Sequence, residues 1–455
     1  MDLGTKLGML GSRNRSPQQG RTDAAGFLPA GFPGKRQETP LGPVFYLEEV
    51  LPANLNHGNR PLASFLKTEA GLLFRLCGRS GAPAQPNRQP LPSEISQVVD
   101  EIAVAEEPPF GDNEEDLSPR HQAGEGFSPE SILFLDTETT GLAGGTGTYV
   151  FLVGLGYFVG DSFVLRQYFL PDYHLEPPLL VAVAQEMRRF PYLLSFNGKV
   201  FDWPLLVTRF QLNRLTPELP EPGHLDFLFP ARRLWRESLG SCSLSNLETV
   251  LLAVQREGDV PGELIPSLYF DFLRHKDFSV IAPVFAHNRS DLLSLVTLAS
   301  RAVEQFHRPA DQLTAEENLA RGRFYEALGE KDKAILAYEK VLWPSAGSPR
   351  LSPNLRQRSA ERLSLLYKEM GRHQEATRLW HQMVDSGTLS LLPYVELAKY
   401  YEHKAKDPLR ARSLVLAALE MARRRHGLRG DQFTPREKEE LRHRLNRLEE
   451  KIRRQ

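Results

Sequence analysis

The run ILFLDTETTGLAGGTGTYVFLVGLGYF, residues 132–158, constrains the fold more than any other stretch of this 455-residue chain. Its opening ILFL is a continuous apolar run, which is typical of a central strand buried on both faces. TYVFLVGLGYF and SFVLRQYFL predict two further strands, and the GDS between them predicts a hairpin. We therefore predict a compact α/β segment from about residue 130 to 305.

Two carboxylates, Asp136 and Glu138, follow the first predicted strand. Residues i and i+2 of a strand point to the same face, so these two side chains should converge. Like charges this close resist joint ionisation unless a cation compensates them. The alternative is a structural pair that caps a helix or meets an arginine.

The glycine cluster GLAGGTGT joins two predicted strands. It has no lysine and no helix behind it, so it matches neither a P-loop nor a dinucleotide fingerprint, both of which open a helix on the phosphates. We expect the glycines to allow a tight turn or the close approach of another part of the chain.

Two later segments add further acids. YLLSFNGKVFDWPLL predicts a strand, a turn and a helix start with Asp202 just after the turn, where an N-cap is the structural alternative. Residues 284–306 predict an amphipathic helix on which His287 and Asp291 share one face. Each acid alone has a structural explanation, but together they form a plausible set of oxygen ligands for two hard cations.

The motifs LDTETTGL, SFNGKVFDWPLL and HNRSD resemble those of the DEDD 3′–5′ exonucleases, which have a ribonuclease H-like fold with a mixed central sheet flanked by helices. The chain resembles the YprB-like branch still more closely, whose members often carry tetratricopeptide repeats. The resemblance covers residues 130–300. It implies two-metal hydrolysis of phosphodiester bonds, with Mg²⁺ or Mn²⁺ favoured over zinc by oxygen ligands. The metal carboxylates that it implies are Asp136, Glu138, Asp202 and Asp291.

His287 falls where the family places the residue that activates the attacking water. Three residues separate it from Asp291, whereas His-type members of the superfamily have four and Tyr-type members have three. On a helix this spacing still directs His287 to the face of Asp291, and its distance to the water stays open.

Further residues are candidates for contact with nucleic acid. For the basic and aromatic ones, the alternative is a basic helix face with a packed tryptophan. Asp226 is predicted as a cap, or alternatively as a supporting acid, and the Ser245/Glu248 spacing predicts a capping box. The candidate contact residues are Thr139, Asn197, Arg232, Arg233, Trp235 and Asn288.

Composition divides the chain into five regions. Residues 1–42 are predicted to be disordered, 43–79 to form a small ordered segment, and 80–128 to be a Pro-rich acidic linker. The resemblance assigns residues 129–307 to a ribonuclease H-like domain. Residues 311–455 have helical spacing throughout and form an all-α domain.

The C-terminal region contains a repeat. Tyr325, Ala334 and Tyr338 recur with the same gaps as Tyr367, Ala376 and Trp380, in a pattern typical of tetratricopeptide helical hairpins. A third, looser copy follows. We expect these positions to pack a helical array and its concave surface to bind a protein partner.

The remaining bounds concern partners and location. The net charge of −1 neither favours nor excludes nucleic acid, because a local groove can be basic on a neutral protein. Two distant cysteines fit a reducing cytoplasm, and the sequence shows neither a signal peptide nor an apolar membrane span. Three functions follow as hypotheses: a 3′–5′ exonuclease on single-stranded DNA or RNA, an endonuclease using the same acids, and a catalytically silent scaffold.

Overall fold

The computed structural model describes residues 31–78, 128–141, 145–215, 223–256, 258–344, 351–388, 390–429 and 435–454. The chain divides into two compact units. The first comprises Met1–Pro230 and Ser241–Val303, and the second comprises Ala231–Gly240 and Glu304–Gln455. The predicted linker and most of the predicted disordered N-terminus lie outside the described residues.

A seven-stranded mixed sheet, in the order β1-β2-β7-β6-β5-β8-β9, organises the first unit. Strands β1, β2, β7, β6 and β5 are antiparallel neighbours, whereas β8 and β9 continue the sheet parallel to β5. A separate hairpin pairs β3 with β4. The strands are β1 (Lys35–Thr39), β2 (Gly42–Pro52), β3 (Asn56–His57), β4 (Arg60–Pro61), β5 (Ile132–Thr139), β6 (Val150–Val159), β7 (Ser162–Phe169), β8 (Tyr192–Ser195) and β9 (His224–Asp226).

Strand β5 explains the position of the first two acids. Its first four residues, 132–135, are buried, and residues 136–139 are half-buried, so the carboxylates stand where the strand leaves the core. The predicted hairpin is β6–β7, which turns at Gly160 and Asp161. The sheet core is rich in aromatic contacts, such as the Phe151 and Tyr269 rings stacked with centroids 4.1 Å apart.

The N-terminal part of the sheet differs from the sequence prediction. Residues 35–39, assigned to a disordered segment by composition, form edge strand β1, because the chain folds back on β2 and Lys35 pairs with Glu48 at 2.7 Å. Strand β2 in turn pairs with β7 over residues 45–52. The segment 43–79 therefore contributes a strand to the central sheet of the first unit.

Helices follow the strands as far as residue 307. They are α1 (Ala70–Cys77), α2 (Glu176–Arg188), α3 (Asp202–Leu212), α4 (Leu228–Leu239), α5 (Leu244–Leu247), α6 (Ile265–His275) and α7 (Phe278–His307). A wider turn, Glu248–Leu252, continues from α5. The predicted helix over residues 284–306 is thus part of α7, which begins six residues earlier.

The second unit is helical over its described residues. Its helices are α8 (Ala315–Ala327), α9 (Lys331–Leu342), α10 (Pro353–Glu369), α11 (His373–Asp385), α12 (Leu392–His403), α13 (Pro408–Arg429) and α14 (Pro435–Arg453). No helix among the described residues of the chain is long and apolar enough to span a membrane.

The first two helical hairpins of this unit turn in the same way. Gly329 after α8 and Gly371 after α10 both have φ of +74°, in the left-handed region that glycine adopts without strain. In α8, a Cβ on Gly322 would lie 2.4 Å from the Tyr338 ring, so glycine permits α8 and α9 to approach closely. The recurring small and aromatic positions are therefore packing positions.

Candidate functional site

The Asp136 carboxylate accepts a hydrogen bond from a buried network of two side-chain amides. The Asn288 side-chain amide donates to Asp136 Oδ2 at 2.7 Å, and Gln167 donates to Asn288 Oδ1 at 2.8 Å. Opposite Asp136 on β6 lies Gly154, where a Cβ would come within 2.2 Å of Asn288 Oδ1. Glycine at 154 therefore leaves room for the amide that orients Asp136.

Asp202 enters the site at the start of α3. The Thr137 hydroxyl, between the two acids of β5, donates to Asp202 Oδ1 at 2.5 Å. Asp202 is the first residue of α3 and not its N-cap, which is Phe201. Asp202 therefore does not cap α3, contrary to the structural alternative. Its carboxylate faces β5 instead.

The turn before α3 is held by Asp226, at the end of β9. The fully buried Asp226 carboxylate accepts the backbone N–H groups of Asn197 at 2.8 Å, Lys199 at 3.2 Å and Leu228 at 3.0 Å. Asn197 has φ of +66°, a left-handed conformation that this bond helps to stabilise. Asp226 acts as a cap for the turn, as the preferred sequence interpretation has it.

His287 and Asp291 share one face of α7, with His287 Nε2 3.7 Å from Asp291 Oδ2. His287 Nδ1 lies 2.7 Å from Asp259 Oδ1 and 3.3 Å from Arg256 Nη1. A hydrogen bond to the Asp259 carboxylate would need the proton on Nδ1, and in that tautomer Nε2 is the acceptor nitrogen. Nε2 lies on the side of the ring that faces Asp291.

The four acids disturb one another electrostatically. Burial, followed by the charges of Asp291, Glu138 and Asp202, raises the pKa of Asp136 well above its usual range, against the hydrogen bond from Asn288. Burial and the charges of Asp291 and Asp202 likewise raise the pKa of Glu138. Four carboxylates from three distant segments therefore lie within strong electrostatic reach of each other.

The other two acids have partners that moderate the effect. Burial raises the pKa of Asp202 to about 6, against the hydrogen bond from Thr137. Burial also raises the pKa of Asp291, while the Arg256 charge lowers it. The hydrogen bond from Thr137 and the charge of Arg256 therefore offset part of the effect of burial on these two acids.

The arrangement fits divalent cations by the chemistry of its donors. Carboxylate oxygens are the ligands that Mg²⁺ and Mn²⁺ prefer, and buried like charges are most stable with a cation between them. Across the described ranges, no three His, Cys, Asp or Glu side chains form a preassembled metal-binding group. The donor set is therefore present, while its ligating geometry is not preformed.

Two candidate contact residues have other roles in the structure. Trp235 is 1% exposed and its indole N–H donates to Gln305 at 3.0 Å within the second unit, so it cannot stack a nucleobase. Asn288 is fully buried and bonded to Asp136, so it orients an acid instead of contacting a ligand. Both predictions were wrong because burial depends on tertiary packing that a linear motif does not report.

The other candidate contact residues stay predictions. Arg232 and Arg233 are exposed on the part of α4 that belongs to the second unit. Thr139 is half-buried and donates to the Gly141 carbonyl at 2.8 Å. Asn197 is half-buried and forms the left-handed turn described above.

Sequence reasoning missed Arg256 and Asp259, which contact Asp291 and His287 respectively. Both lie in the loop REGDVPG, where the available signal was an arginine close to two acids. Glu248 was predicted to complete a capping box with Ser245. Instead Ser243 is the N-cap of α5, and the buried Glu248 carboxylate pairs with Arg256.

Three comparisons relate the chain to known proteins. A family model of the RNase H superfamily, RNase_H_2, matches residues 133–303. The "uncharacterized protein YprB" of Bacillus subtilis (strain 168) is 35% identical over 315 residues, which cover 66% of this chain and 73% of that protein. The family B DNA polymerase of Pyrobaculum calidifontis is 15% identical, with a TM-score of 0.32. That match covers 50% of this chain and 32% of the polymerase chain, and it is limited to partial structural similarity.

The mixed sheet flanked by helices and the matching superfamily model define a ribonuclease H-like protein. Within that class, the extent and identity of the match show that the chain belongs to the same family as YprB.

Proposed function

We propose that this protein is a divalent-metal-dependent 3′–5′ exonuclease of the DEDD type, acting on single-stranded DNA or RNA. One observation carries the proposal. Asp136, Glu138, Asp202 and Asp291, from three separate segments, converge where a buried strand leaves the core, and burial together with their mutual repulsion raises the pKa of Asp136. Such a like-charged cluster lowers the stability of the protein unless it serves to bind cations.

The four carboxylates would hold Mg²⁺ or Mn²⁺. When bound, these cations supply Lewis-acid stabilisation of the charge that develops on the phosphate. Among the residues of the chain, Asn288 and Thr137 orient Asp136 and Asp202. His287, with Asp259 on Nδ1, has Nε2 available to accept the proton of an attacking water.

The helical second unit supports a further part of the proposal, a tetratricopeptide-type surface for a protein partner. The paired Tyr325/Tyr367, Ala334/Ala376 and Tyr338/Trp380 positions recur on equivalent helices, and both hairpins turn at a left-handed glycine. Arrays of this kind use their concave face for binding. Arg232 and Arg233 are proposed as phosphate contacts because they are exposed and always charged.

The test is a cleavage assay with end-labelled linear and circular single-stranded DNA and RNA, with Mg²⁺ or Mn²⁺. We expect stepwise loss of nucleotides from the 3′ end of the linear substrates. Asp136→Asn should reduce the rate by about 10³-fold, since a lost metal ligand removes several kcal/mol of transition-state stabilisation. Asp271→Asn, at an exposed acid on α6, is the matched control and should retain full activity.

Each other outcome identifies an alternative. Cleavage of circles that depends on Asp136 would indicate an endonuclease on the same carboxylates. A folded Asp136→Asn protein with full activity would overturn the assignment of the site. Absence of cleavage on every substrate would favour the silent scaffold.

A further inference from the structure

The guanidinium of Arg256 contacts the cluster formed by Asp136, Glu138, Asp202 and Asp291. Among the described residues, Arg256 is the basic side chain that forms an ion pair with one of the four carboxylates. Its Nη2 donates to Asp291 Oδ1. Its side chain is 13% exposed, so the interaction is largely shielded from water. Arg256 therefore lies beside the Asp291 carboxylate, where a cation bound by Asp291 would also lie.

Arg256 is anchored independently of Asp291. Its Nε donates to Glu248 Oε2 at 2.9 Å, and its Nη2 also donates to Glu248 Oε1. Glu248 is 2% exposed, and a buried carboxylate requires a charged partner. The guanidinium thus stays in place through Glu248 whether or not Asp291 is bound to it.

The Glu248 anchor is itself supported by the β3–β4 hairpin. The backbone N–H of Asn59 donates to the Leu252 carbonyl at 2.8 Å, and its side-chain amide donates to the Leu251 carbonyl at 3.1 Å. A Cβ on Gly58 would lie 2.1 Å from the Leu252 oxygen, so glycine is required for this approach. The N-terminal segment therefore fixes the turn that carries Glu248.

We propose that Arg256 is a positioning residue, which holds Asp291 in the ion-free protein and competes with a divalent cation for that carboxylate. The inference rests on the proposed function, because it concerns the same acids. Nη2 is bonded to Asp291 Oδ1, an oxygen that a cation held by Asp291 could also use, and two positive charges beside one carboxylate would repel each other.

The test is calorimetric titration of Mn²⁺ into the full-length chain without substrate. The double variant Glu248→Gln/Arg256→Gln removes one charge of each sign, so the local net charge is unchanged while Asp291 is released. We expect Mn²⁺ affinity to rise about tenfold, because the charge-assisted donor that competes for Asp291 is removed. A purely structural role for Arg256 would change the melting temperature without tightening the binding.

A second variant, Arg256→Lys, keeps the test informative if the double variant does not fold. Arg256→Lys keeps the charge but replaces the guanidinium fork by one point donor, which cannot bond both acids equally well. We expect a smaller rise in affinity, of about two- to threefold. The matched control is Arg166→Gln/Glu186→Gln, which removes a similar ion pair (2.7 Å) that touches none of the four acids, and should leave Mn²⁺ affinity unchanged.

The outcomes separate the two proposals. If the wild-type chain binds Mn²⁺ and Asp136→Asn does not, but both Arg256 variants bind it as the wild type does or more weakly, the role of Arg256 is overturned and the metal site stands. If the wild-type chain and Asp136→Asn both fail to bind Mn²⁺, the metal site and the inference fail together.

Discussion

Buried carboxyl groups in the two units have pKa values shifted in opposite directions. In the first unit, burial and neighbouring acids raise the pKa of Asp136. In the second, burial raises the pKa of Glu402, but hydrogen bonds from Arg447 and Lys451 outweigh it and lower that pKa to about 2. The Glu402 side chain is fully buried, yet cations from α14 surround it.

The difference teaches how a buried acid can be interpreted. Glu402 on α12 accepts from Arg444 at 2.7 Å, from Arg447 at 2.9 Å and from Lys451 at 2.8 Å, so its charge is balanced by the protein and it fastens α14 to α12. Asp136 and Glu138 instead have raised pKa values, and under the proposed function a bound cation would balance their charge. Complete internal compensation marks a structural acid, and incomplete compensation marks a candidate ligand.

The largest expected contrast is the response to metal. Mn²⁺ at about 100 times its dissociation constant should stabilise the first unit by about 2.7 kcal/mol, because it binds only the folded state. Hydrogen exchange read by mass spectrometry would show slower exchange in β5 and α7 and unchanged exchange in α12 and α14. Asp136→Asn should abolish the effect, while Glu402→Gln should keep it. Equal protection of both units would break the comparison.

A smaller effect is expected from neutralising the structural acid. Glu402→Gln should lower the free energy of unfolding of the second unit by about 2 kcal/mol, because several charge-assisted hydrogen bonds are weakened while the exposed cations regain water. Urea denaturation followed by hydrogen exchange in α12–α14 measures it. Glu449→Gln, whose partner Arg412 lies at 3.4 Å on the surface, is the control and should cost much less. A Glu402→Gln protein as stable as the control would contradict the structural role.

The smallest expected effect is the pH dependence of the stability difference between the wild type and Glu402→Gln. The pKa of Glu402 is depressed in the folded state, to about 2 from an ordinary 4.5, so its contribution is complete above pH 4.5 and is lost as pH falls towards 2. The stability gap between wild type and Glu402→Gln should therefore shrink to roughly half between pH 6 and pH 3. Urea titrations at both values test it, and a constant gap would show that Glu402 is not held as an anion.

Much of the sheet and of the acid set could be predicted from local patterns. The apolar run of β5, the β6–β7 hairpin and the start of α3 all follow from short-range spacing. The i,i+4 relation of His287 and Asp291 on one helix face was likewise predictable, since it depends only on helix geometry.

The residues that hold the site could not be predicted, because their contacts span long separations. Arg256 meets Asp291 35 positions later, and Asn288 meets Asp136 across 152. Pairing of β2 with β7 is similarly non-local, and residues 35–42 have a composition that suggests disorder. The sequence left both stacking on a base and packing open for Trp235, because its burial depends on contacts within its own unit.

The pairing of β2 with β7 has a practical consequence for anyone who prepares the protein. A fragment that begins at residue 129, the predicted start of the ribonuclease H-like domain, would lose β1, β2 and the hairpin beside Glu248. Strand β7 would then present eight unpaired backbone positions, a template for intermolecular association. Preparations of the ribonuclease H-like part should therefore begin before Lys35, and proteases that remove the N-terminal segment should promote aggregation.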